Sequence, residues 1–412
     1  MLWSVGDVRD LISLGVLGAF VPRDVVDATI AELGRDLKRR GGKLPPWSVV
    51  YLSMLMALYP DDDYEELAVR LSPLVAWGRE ELGEPATSGG VTQARARLGF
   101  EVVQQVFERV AVPVADAVTT GAFVGLRRLV AIDGFEVDLP ETPENAATFG
   151  YSGSGENRSA YPKARVVAVA ECASRAIISA RIGPISGKGT GERSLAGDLW
   201  AGLEPDMLCL ADAGFYSWEA WHAAASTGAG LLWRVGDGLR LPVVDKLDDG
   251  SYLALVTRPA MATARRTKIL AAAREGHLVD PGEAMFVRVV EYDVPDRDGN
   301  GSGELIVLMT TITDPTDVPA TTLAETYHRR WDVETAFDQV KTHLRPPGKV
   351  LRSRSPAMVY AEIYGLLLTQ WALARLICEA ATETDTAPDR VKYLRTIRVV
   401  RRHATSEAAF PP

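Results

Sequence analysis

Residues Tyr327 to Lys341 read YHRRWDVETAFDQVK. This run contains no Pro or Gly, and its apolar residues recur every three or four positions, which predicts a helix. At about 100° per residue, five apolar side chains fall in one stripe that should face a core. They are Val333, Ala336, Phe337, Val340 and Leu344. The helix therefore packs one face against the rest of the chain.

A second, polar stripe lies beside the apolar one on this helix. Its members, which fall within about 60° of one another, are Tyr327, Arg330, Glu334 and Lys341. One interpretation is a solvated face on which Arg330 and Glu334 form an i, i+4 ion pair worth about 0.3 kcal/mol. The other is a metal-ligating Glu334 between cations that bind phosphates. Taken by itself, the helix favours the solvated face.

These four polar residues fit the pattern Y-x2-R-x3-E-x6-K at every spacing. The pattern resembles the YREK signature of the insertion-sequence-four family of DDE transposases. The segment LRSRSPAMVYAEIYGLLLTQWALAR, from Leu351 to Arg375, also resembles that family. The resemblance implies a ribonuclease-H-like core and two aspartates elsewhere in the chain. Trp331, about 40° from Tyr327 on the helix, is expected to fill a gap in the packing, with stacking on a base as the alternative.

Two apolar runs that end in an aspartate supply candidates for that pair. GLRRLVAIDG leads into Asp133-Gly134, and DMLCLADAGF leads into Asp212-Ala213-Gly214. Each Asp alone is typical of a turn after a strand. At the ends of neighbouring parallel strands, however, two carboxylates would lie at the rim of the sheet, where substrates bind in such folds. IDG and DAGF also resemble the family's aspartate motifs, with Ala213 where the family more usually carries Arg.

The runs around these aspartates predict an α/β fold with a mixed sheet. ARVVAVAECA and AIISARIG can form a hairpin joined by a Ser174-Arg175 turn, and the later runs alternate as strand, helix, strand, helix, strand. Helices should then pack on the sheet. Glu136 and Asp138 alternate just after Asp133, and we interpret them as supporting or solvated groups rather than ligands.

The chain divides into four segments when the resemblance is combined with the local patterns. Residues 1–115 are expected to be helical and to recognise transposon ends; nothing distinguishes Arg95 and Arg97 there from surface residues. Residues 116–240 would form the first part of the ribonuclease-H-like core, 241–318 an inserted β-rich subdomain, and 319–405 the helical remainder of the core. Within the insertion, Asp296 to Gly303 is expected to be a hairpin loop and not an EF-hand.

Composition is ordinary for a globular protein. Of the 412 residues, 47% are hydrophobic and 24% charged, which suits two or three domains. Three separated cysteines without a C-x-x-C pair support neither a zinc ribbon nor a disulfide framework. The most apolar segment, Met358 to Ala381, is interrupted by polar and charged residues and predicts a buried helix, not a membrane span. We expect a cytoplasmic protein with no membrane partner.

Basic residues are concentrated near the C-terminal end. The net charge is −9, yet residues 327–405 contain 14 Lys and Arg against 8 Asp and Glu, which favours DNA contact there. One loop can be either solvated or a patch that follows the DNA backbone; its cations are Arg345, Lys349, Arg352 and Arg354. The run KYLRTIRVVRR places three arginines on one helix face, namely Arg395, Arg398 and Arg402. The sequence supports equally a face that contacts DNA and a face exposed to solvent.

The function that these residues and the resemblance imply is DNA transposition. Two Mg²⁺ ions, for which Mn²⁺ can substitute, would lie about 4 Å apart and promote phosphodiester cleavage and transfer, with Asp133 as the bridging ligand. A homodimer would cut double-stranded DNA at terminal inverted repeats, through a hairpin intermediate, and join the ends to target DNA. The metal ligands would be Asp133, Asp212 and Glu334, and the DNA-binding residues Tyr327, Arg330 and Lys341.

Two other functions remain open from the sequence. A ribonuclease-H-like nuclease without strand transfer would use the same carboxylates, although the long insertion and the YREK cations favour transposition. The second is a truncated or domesticated, non-catalytic DNA-binding relative. Family members commonly continue with a further basic segment, and the short C-terminus of this chain favours that alternative. The intact set of three carboxylates argues against it.

Overall fold

The computed structural model describes residues 18–36, 44–76, 84–236, 238–294, 304–345 and 348–403. The loop expected at Asp296 to Gly303 lies outside these described residues. Within them the chain forms a central sheet of ten strands, with helices before it in the sequence and on both of its faces.

The described part of the N-terminal region is helical, as the sequence predicts, with α1 (Arg23–Glu32), α2 (Pro46–Leu58), α3 (Tyr64–Ala76), α4 (Ser88–Leu98) and α5 (Phe100–Val110). α2 is buried along most of its length, because an almost wholly apolar helix must be surrounded by other elements. Gly99, with a φ of 78°, separates α4 from α5. Only glycine adopts this region of φ without strain, so the helix breaks where the sequence indicated.

The sheet is mixed. Its strands are β1 (Phe123–Val124), β2 (Arg127–Asp138), β3 (Lys163–Glu171), β4 (Ile177–Pro184), β5 (Met207–Ala211), β6 (Gly230–Arg234), β7 (Val243–Lys246), β8 (Tyr252–Thr257), β9 (Ala284–Val294) and β10 (Glu304–Thr310). Their order is β4-β3-β2-β5-β6-β10-β9-β8-β7, with β1 beside β2. β2, β5 and β6 run parallel, whereas β3 and β4 form the expected antiparallel hairpin. This is the mixed ribonuclease-H-like sheet that the sequence predicts.

The β-rich segment after β6 extends this same sheet, since β10 pairs antiparallel with β6. It also contains a helix that the strand patterns did not predict, α9 (Thr263–Arg274). Its sequence, TARRTKILAAAR, has no Gly or Pro and consists mainly of strong helix formers. Alternating apolar residues, the signal of the neighbouring strands, are lacking here, and helix propensity decides the conformation.

The remaining helices cover both faces of the sheet. They are α6 (Pro143–Phe149), α7 (Glu192–Ala196), α8 (Trp218–Ala225), α10 (Ala320–Tyr327), α11 (Trp331–Asp338), α12 (Pro356–Glu383) and α13 (Tyr393–His403). One face packs against α11 and α12, and the other against α7 and α8. The buried helix expected at Met358 to Ala381 is the central part of α12. Among the described helices, none has the length and apolar character needed to cross a membrane.

The helix predicted at Tyr327 to Lys341 is a continuous run of three helical geometries. A 3₁₀ turn at His328–Arg330 follows α10, α11 comes next, and a π-helical turn at Gln339–Leu344 ends the run. All five residues of the predicted apolar stripe are buried. Trp331 is 59% exposed, so the expectation that it fills a packing gap is wrong. Its ring lies away from the apolar stripe, with the Arg330 guanidinium 5.2 Å from the ring centre.

Arg95 is buried, with 3% of its surface exposed, and is not the surface residue that the sequence suggested. Its guanidinium donates hydrogen bonds to the hydroxyl of Ser353 at 3.0 Å, the carbonyl of Met358 at 3.3 Å and the hydroxyl of Tyr64. These bonds offset the cost of removing a cation from water. Arg95 thereby joins the N-terminal helices to the loop that precedes α12.

Three of the four cations in the predicted basic loop bind the protein itself. Arg345 donates to the carbonyl of Asp138 at 3.3 Å, and Lys349 pairs with Asp61. Arg352 donates to two carbonyl oxygens in the loop between α2 and α3. Lys349 and Arg352 contact the loop between α2 and α3, Lys349 through an exposed ion pair, whereas Arg345 binds the end of β2. None of these three side chains is a free cation, so a patch reserved for DNA is not correct for them.

Asp332 fixes the beginning of α11 to the turn between β3 and β4. Its buried carboxylate accepts a hydrogen bond from the backbone N–H of Ala173 at 3.2 Å and pairs with Arg175 at 3.0 Å. Ala173 and Arg175 have φ values of 66° and 61°, and this tight turn brings both donors toward the helix. The position of α11 above the sheet therefore depends on a charge contact as well as on apolar packing.

Replacing Arg95 by Ala should lower the free energy of unfolding by about 2–3 kcal/mol, because buried acceptors lose their donor. Urea denaturation followed by circular dichroism measures this. The matched control is Arg97→Ala, an exposed residue of the same helix, with an expected effect below about 0.5 kcal/mol. Equal effects of the two substitutions would contradict a structural role for the Arg95 contacts.

Asp332→Ala should also destabilise the fold, by about 3 kcal/mol, since Arg175 would be left without its partner in a mostly buried position. Thermal unfolding of the single variants and of the double variant Asp332→Ala/Arg175→Ala gives the coupling between them. We expect the double variant to be more stable than the sum of the two single losses predicts. Strict additivity would show that the pair does not interact.

Candidate active site

Asp133 and Asp212 lie side by side because β2 and β5 run parallel in register. Ala131 stands opposite Leu210, and two further residues along each strand bring the two aspartates to the same level. β5 ends one residue before Asp212, as expected, whereas β2 continues to Asp138 while paired with β3. The prediction that Asp133 ends its strand is wrong. It stands instead where β2 loses its parallel neighbour.

Both aspartates belong to the face of the sheet that carries α11. Alternation along the strands places them on the same side as Phe135 and Leu210, which belong to the core beneath that helix. Phe135 also contacts Phe337 of α11, with ring centres 4.6 Å apart. The sheet therefore presents two carboxylates to the helix that carries the polar stripe.

Arg330 connects the helix to the sheet. Its Nη1 lies 3.2 Å from Asp133 Oδ2, and its Nη2 lies 2.7 Å from Glu334 Oε1. The side chain is only 11% exposed, so these contacts are shielded from water and stronger than a surface ion pair. The i, i+4 pair of Arg330 and Glu334 is thus real, and it includes a third group that the helix alone could not reveal.

Tyr327 lies beside the second aspartate. Its hydroxyl donates to the carbonyl of Ala211 at 3.4 Å, one residue before Asp212. Burial holds the pKa of Tyr327 well above its usual range, which keeps the hydroxyl protonated and able to donate. Together, Tyr327, Arg330 and Glu334 face the two aspartates from successive turns of the helical run.

Lys341 is separate from this group. It is exposed in the π-helical turn, and its side chain forms no ion pair or hydrogen bond with the described part of the chain. The predicted stripe assumed 100° per residue throughout. The 3₁₀ and π-helical turns depart from that angle, and Lys341 lies in the π-helical turn, beyond the contacts that the other three residues make.

The carboxyl group of Asp133 is perturbed by its surroundings. Burial raises its pKa to about 6, the Gly134 N–H and Arg330 oppose the shift, and the charges of Glu334 and Glu192 add to it. The Gly134 N–H donates to Asp133 Oδ1 at 2.7 Å. Even with these partners, the ionised form is less favourable here than in water.

Glu192 and Arg193, at the start of α7, were not foreseen as neighbours of the aspartates. A Cβ at Gly134 would lie 2.5 Å from Glu192 Oε1, so the missing side chain makes room for this carboxylate. Arg193 Nε donates to the carbonyl of Gly214 at 3.2 Å. A Glu-Arg pair at a helix start carries no signal that would have distinguished it in the sequence. The short helix thus contacts the segments that follow both aspartates.

Glu136 and Asp138 remain outside the site, as expected. Both pair with Lys163 on the neighbouring strand, at 3.1 and 3.4 Å. Arg165 provides a further cation 3.6 Å from Glu136. Their charges are balanced across the β2–β3 hairpin.

The donor set of the site suits a divalent cation, because Asp133, Asp212 and Glu334 offer the carboxylate oxygens that Mg²⁺ and Mn²⁺ prefer. In the structure, these three carboxylates are not gathered as closely as the ligands of a bound metal ion would be. Across the ranges that the structure describes, no three His, Cys, Asp or Glu side chains are grouped closely enough to hold an ion. Arg330 instead lies between Asp133 and Glu334. Binding by all three carboxylates therefore requires side-chain movement.

Two known families cover most of the chain. The insertion element 4 transposase N-terminal family matches residues 11–108. The transposase DDE domain family matches residues 125–371, which is more than half of the chain. The second match contains both aspartates and the helical run with Glu334, and the two families follow each other in the order expected from the sequence.

An individual relative shows the same similarity. The transposase InsG for insertion sequence element IS4 of Escherichia coli (strain K12) is 26% identical over 374 residues, which cover 88% of this chain and 78% of that protein. Among solved structures, a piggyBac transposase synaptic complex with hairpin DNA aligns with a TM-score of 0.47 and 12% identity, over 98% of this chain and 82% of that one. On the family matches, the chain belongs to the insertion-sequence-four family of DDE transposases, enzymes that cleave DNA and transfer its strands.

Proposed function

We propose that this transposase uses Asp133, Asp212 and Glu334 to hold two divalent cations, Mg²⁺ with Mn²⁺ able to substitute, and cuts DNA at the ends of its own element. The observation that supports these roles is the Arg330 guanidinium, held between Asp133 and Glu334. A cation already balances two of the carboxylates. Their position therefore favours positive charge.

Asp133 is the proposed shared ligand. Its pKa of about 6 indicates that Arg330 and the Gly134 N–H only partly offset the burial of its charge. Divalent cations bound here would supply an activated water and stabilise the leaving oxygen of a phosphodiester. Among the three carboxylates, Asp133 is the one that contacts Arg330 from the sheet, and it stands next to Asp212 on the neighbouring strand.

The polar residues of the helical run are proposed to hold the DNA strand. Arg330 carries N–H donors in a planar fork that matches the oxygens of a phosphate, and the protonated Tyr327 hydroxyl is a further donor. Lys341 lies further along the run and is exposed. It suits a neighbouring phosphate as a point charge. In this arrangement Arg330 exchanges a carboxylate for a phosphate when DNA and cations are bound.

The reaction course is proposed from the resemblance to the insertion-sequence-four family. The strand freed by the first cut ends in a 3′-hydroxyl, which is proposed to attack the opposite strand and close a hairpin at the element end. Opening of the hairpin and attack of the end on target DNA would complete transposition. We propose that a homodimer bound to two terminal inverted repeats carries this out in the cytoplasm.

Glu334→Gln should reduce Mg²⁺-dependent cleavage of the element's end by about 10³-fold or more, since a charged ligand becomes neutral. Binding of the same DNA should be retained. The matched control is Asp338→Asn, an exposed carboxylate one turn further along the helix, which should leave cleavage unchanged. Cleavage by Glu334→Gln at the wild-type rate would remove Glu334 from the metal site. No cleavage by the wild type, with binding intact, would favour the non-catalytic alternative.

The products of this cleavage test the hairpin. On a denaturing gel, a closed hairpin runs as a single strand of twice the length of the open end. We expect this species to appear before the fully opened end in a time course. Open ends without any earlier hairpin species would contradict the proposed route while leaving the metal ligands intact.

Asp133→Asn should stabilise the metal-free protein at pH 7.5 by on the order of 2 kcal/mol. The folded-state pKa of about 6 lies above the ordinary value of 3.8, so ionisation of Asp133 weakens the fold. That loss accumulates as the pH rises from about 4 to about 6 and is complete above this range. Urea denaturation in EDTA from pH 4.5 to 7.5 measures the difference from wild type. A difference that does not grow with pH would contradict the buried, unfavourable charge.

A further inference from the structure

The last described helix, α13, has one face fixed to the protein. Tyr393, Ile397 and Val400 are buried in the main core. The Tyr59 hydroxyl donates to the carbonyl of Arg401 at 2.7 Å, and Arg401 donates to a carbonyl at the end of α2. The helix is therefore held in a defined orientation, which determines which side chains point outward.

The outer face of α13 is basic. Four exposed cations recur at helical spacing along it: Lys392, Arg395, Arg398 and Arg402. We call this set the α13 basic face. Residues 390–403 contain no Asp or Glu, and within the described ranges none of the four cations forms an ion pair. An open groove of about 470 Å³ runs along this face, with Leu394 and Val399 among its lining residues.

This set differs from three of the four cations of the predicted basic loop. Arg345 and Arg352 donate to backbone carbonyls, and Lys349 pairs with Asp61. Cations three and four residues apart on one helix repel one another and destabilise it slightly. Within the described part of the chain, no acidic side chain pairs with the α13 basic face to offset this repulsion. A polyanion would supply one.

The inner face of α13 adjoins the end of the helical run of the active site. His343 stacks on Tyr393 with ring centres 6.0 Å apart and an angle of 28° between the planes. His343 lies two residues after Lys341, and Tyr393 lies between Lys392 and Leu394. This contact places the helix that carries the basic face beside the π-helical turn that contains Lys341.

We propose that the α13 basic face binds the phosphate backbone of double-stranded DNA beside the position where the strand is cut. The face extends over ten residues, or about 15 Å at 1.5 Å per residue, which corresponds to about four base pairs. Contacts of this kind are independent of sequence. The inference rests on the DNA substrate of the proposed function, but not on its metal ligands.

The test compares two triple variants that lose the same charge. Arg395→Ala/Arg398→Ala/Arg402→Ala removes three members of the α13 basic face. Arg240→Ala/Arg258→Ala/Lys268→Ala removes three exposed cations from the β-rich segment and serves as the control. Binding of a fluorescent duplex with the element's end sequence, and of a scrambled duplex of equal length, is measured by anisotropy from 50 to 200 mM KCl. Thermal unfolding establishes that both variants are folded.

For the α13 variant, we expect the slope of log affinity against log salt to fall in magnitude by about 3, because three phosphate contacts are lost. Affinity at low salt should fall by about 10- to 100-fold, equally for both duplexes. The control variant should change the slope by less than about 1. Equal slopes and affinities for the two variants would overturn the proposal.

Two further outcomes also decide the matter. A change in oligomeric state on size exclusion, without a change in slope, would make the face a protein interface and overturn DNA binding there. If the wild type binds but does not cleave, and the slope still falls in the α13 variant, the DNA-binding face is supported although the proposed metal site fails. Failure of the two proposals is therefore distinguishable.

Discussion

The contact on which the site depends is the Arg330 guanidinium held between Asp133 of the sheet and Glu334 of the helix. Two carboxylates facing each other in a half-buried position repel, and burial adds to the cost of each charge. The intervening cation permits the helical run to pack its apolar stripe on the sheet while the acidic groups remain at the border. A single guanidinium therefore permits both the apolar packing of the helical run and the balance of the acidic charges.

Buried charged side chains also have partners from distant segments at other junctions of the fold. Arg288 is fully buried and donates to the Ser251 hydroxyl at 2.8 Å and the Val318 carbonyl at 2.7 Å, which ties the β-rich segment to the loop before α10. Glu171 is fully buried and accepts from the backbone N–H groups of residues 114 and 115. Buried charges in this molecule are used to join segments that are distant in sequence. The exposed cations of α13 take no part in such a junction, which is why they are available for a partner.

Local sequence patterns predicted the partners of the polar side chains only in part. The interpretation of Arg345, Lys349 and Arg352 as free cations failed because their acceptors are carbonyls and a carboxylate on segments far away in the chain. The helix expected through Lys341 is also not uniform, since 3₁₀ and π-helical turns stand on either side of α11. The fourfold division of the chain remains a prediction, although β7 to β10 share one sheet with the core.

The sequence by itself determined the apolar face of the signature helix and the two strands that lead to aspartates. It also determined the break at Gly99 between α4 and α5, the turn between β3 and β4, and the family. Periodicity, spacing and turn chemistry are properties of neighbouring residues and need no knowledge of the rest of the chain. Only the tertiary structure decided that Arg330 bridges Asp133 and Glu334, that Glu192 occupies the space above Gly134, and which cations are paired. Those outcomes depend on burial and on distances between segments, and electrostatic energies change several-fold with both.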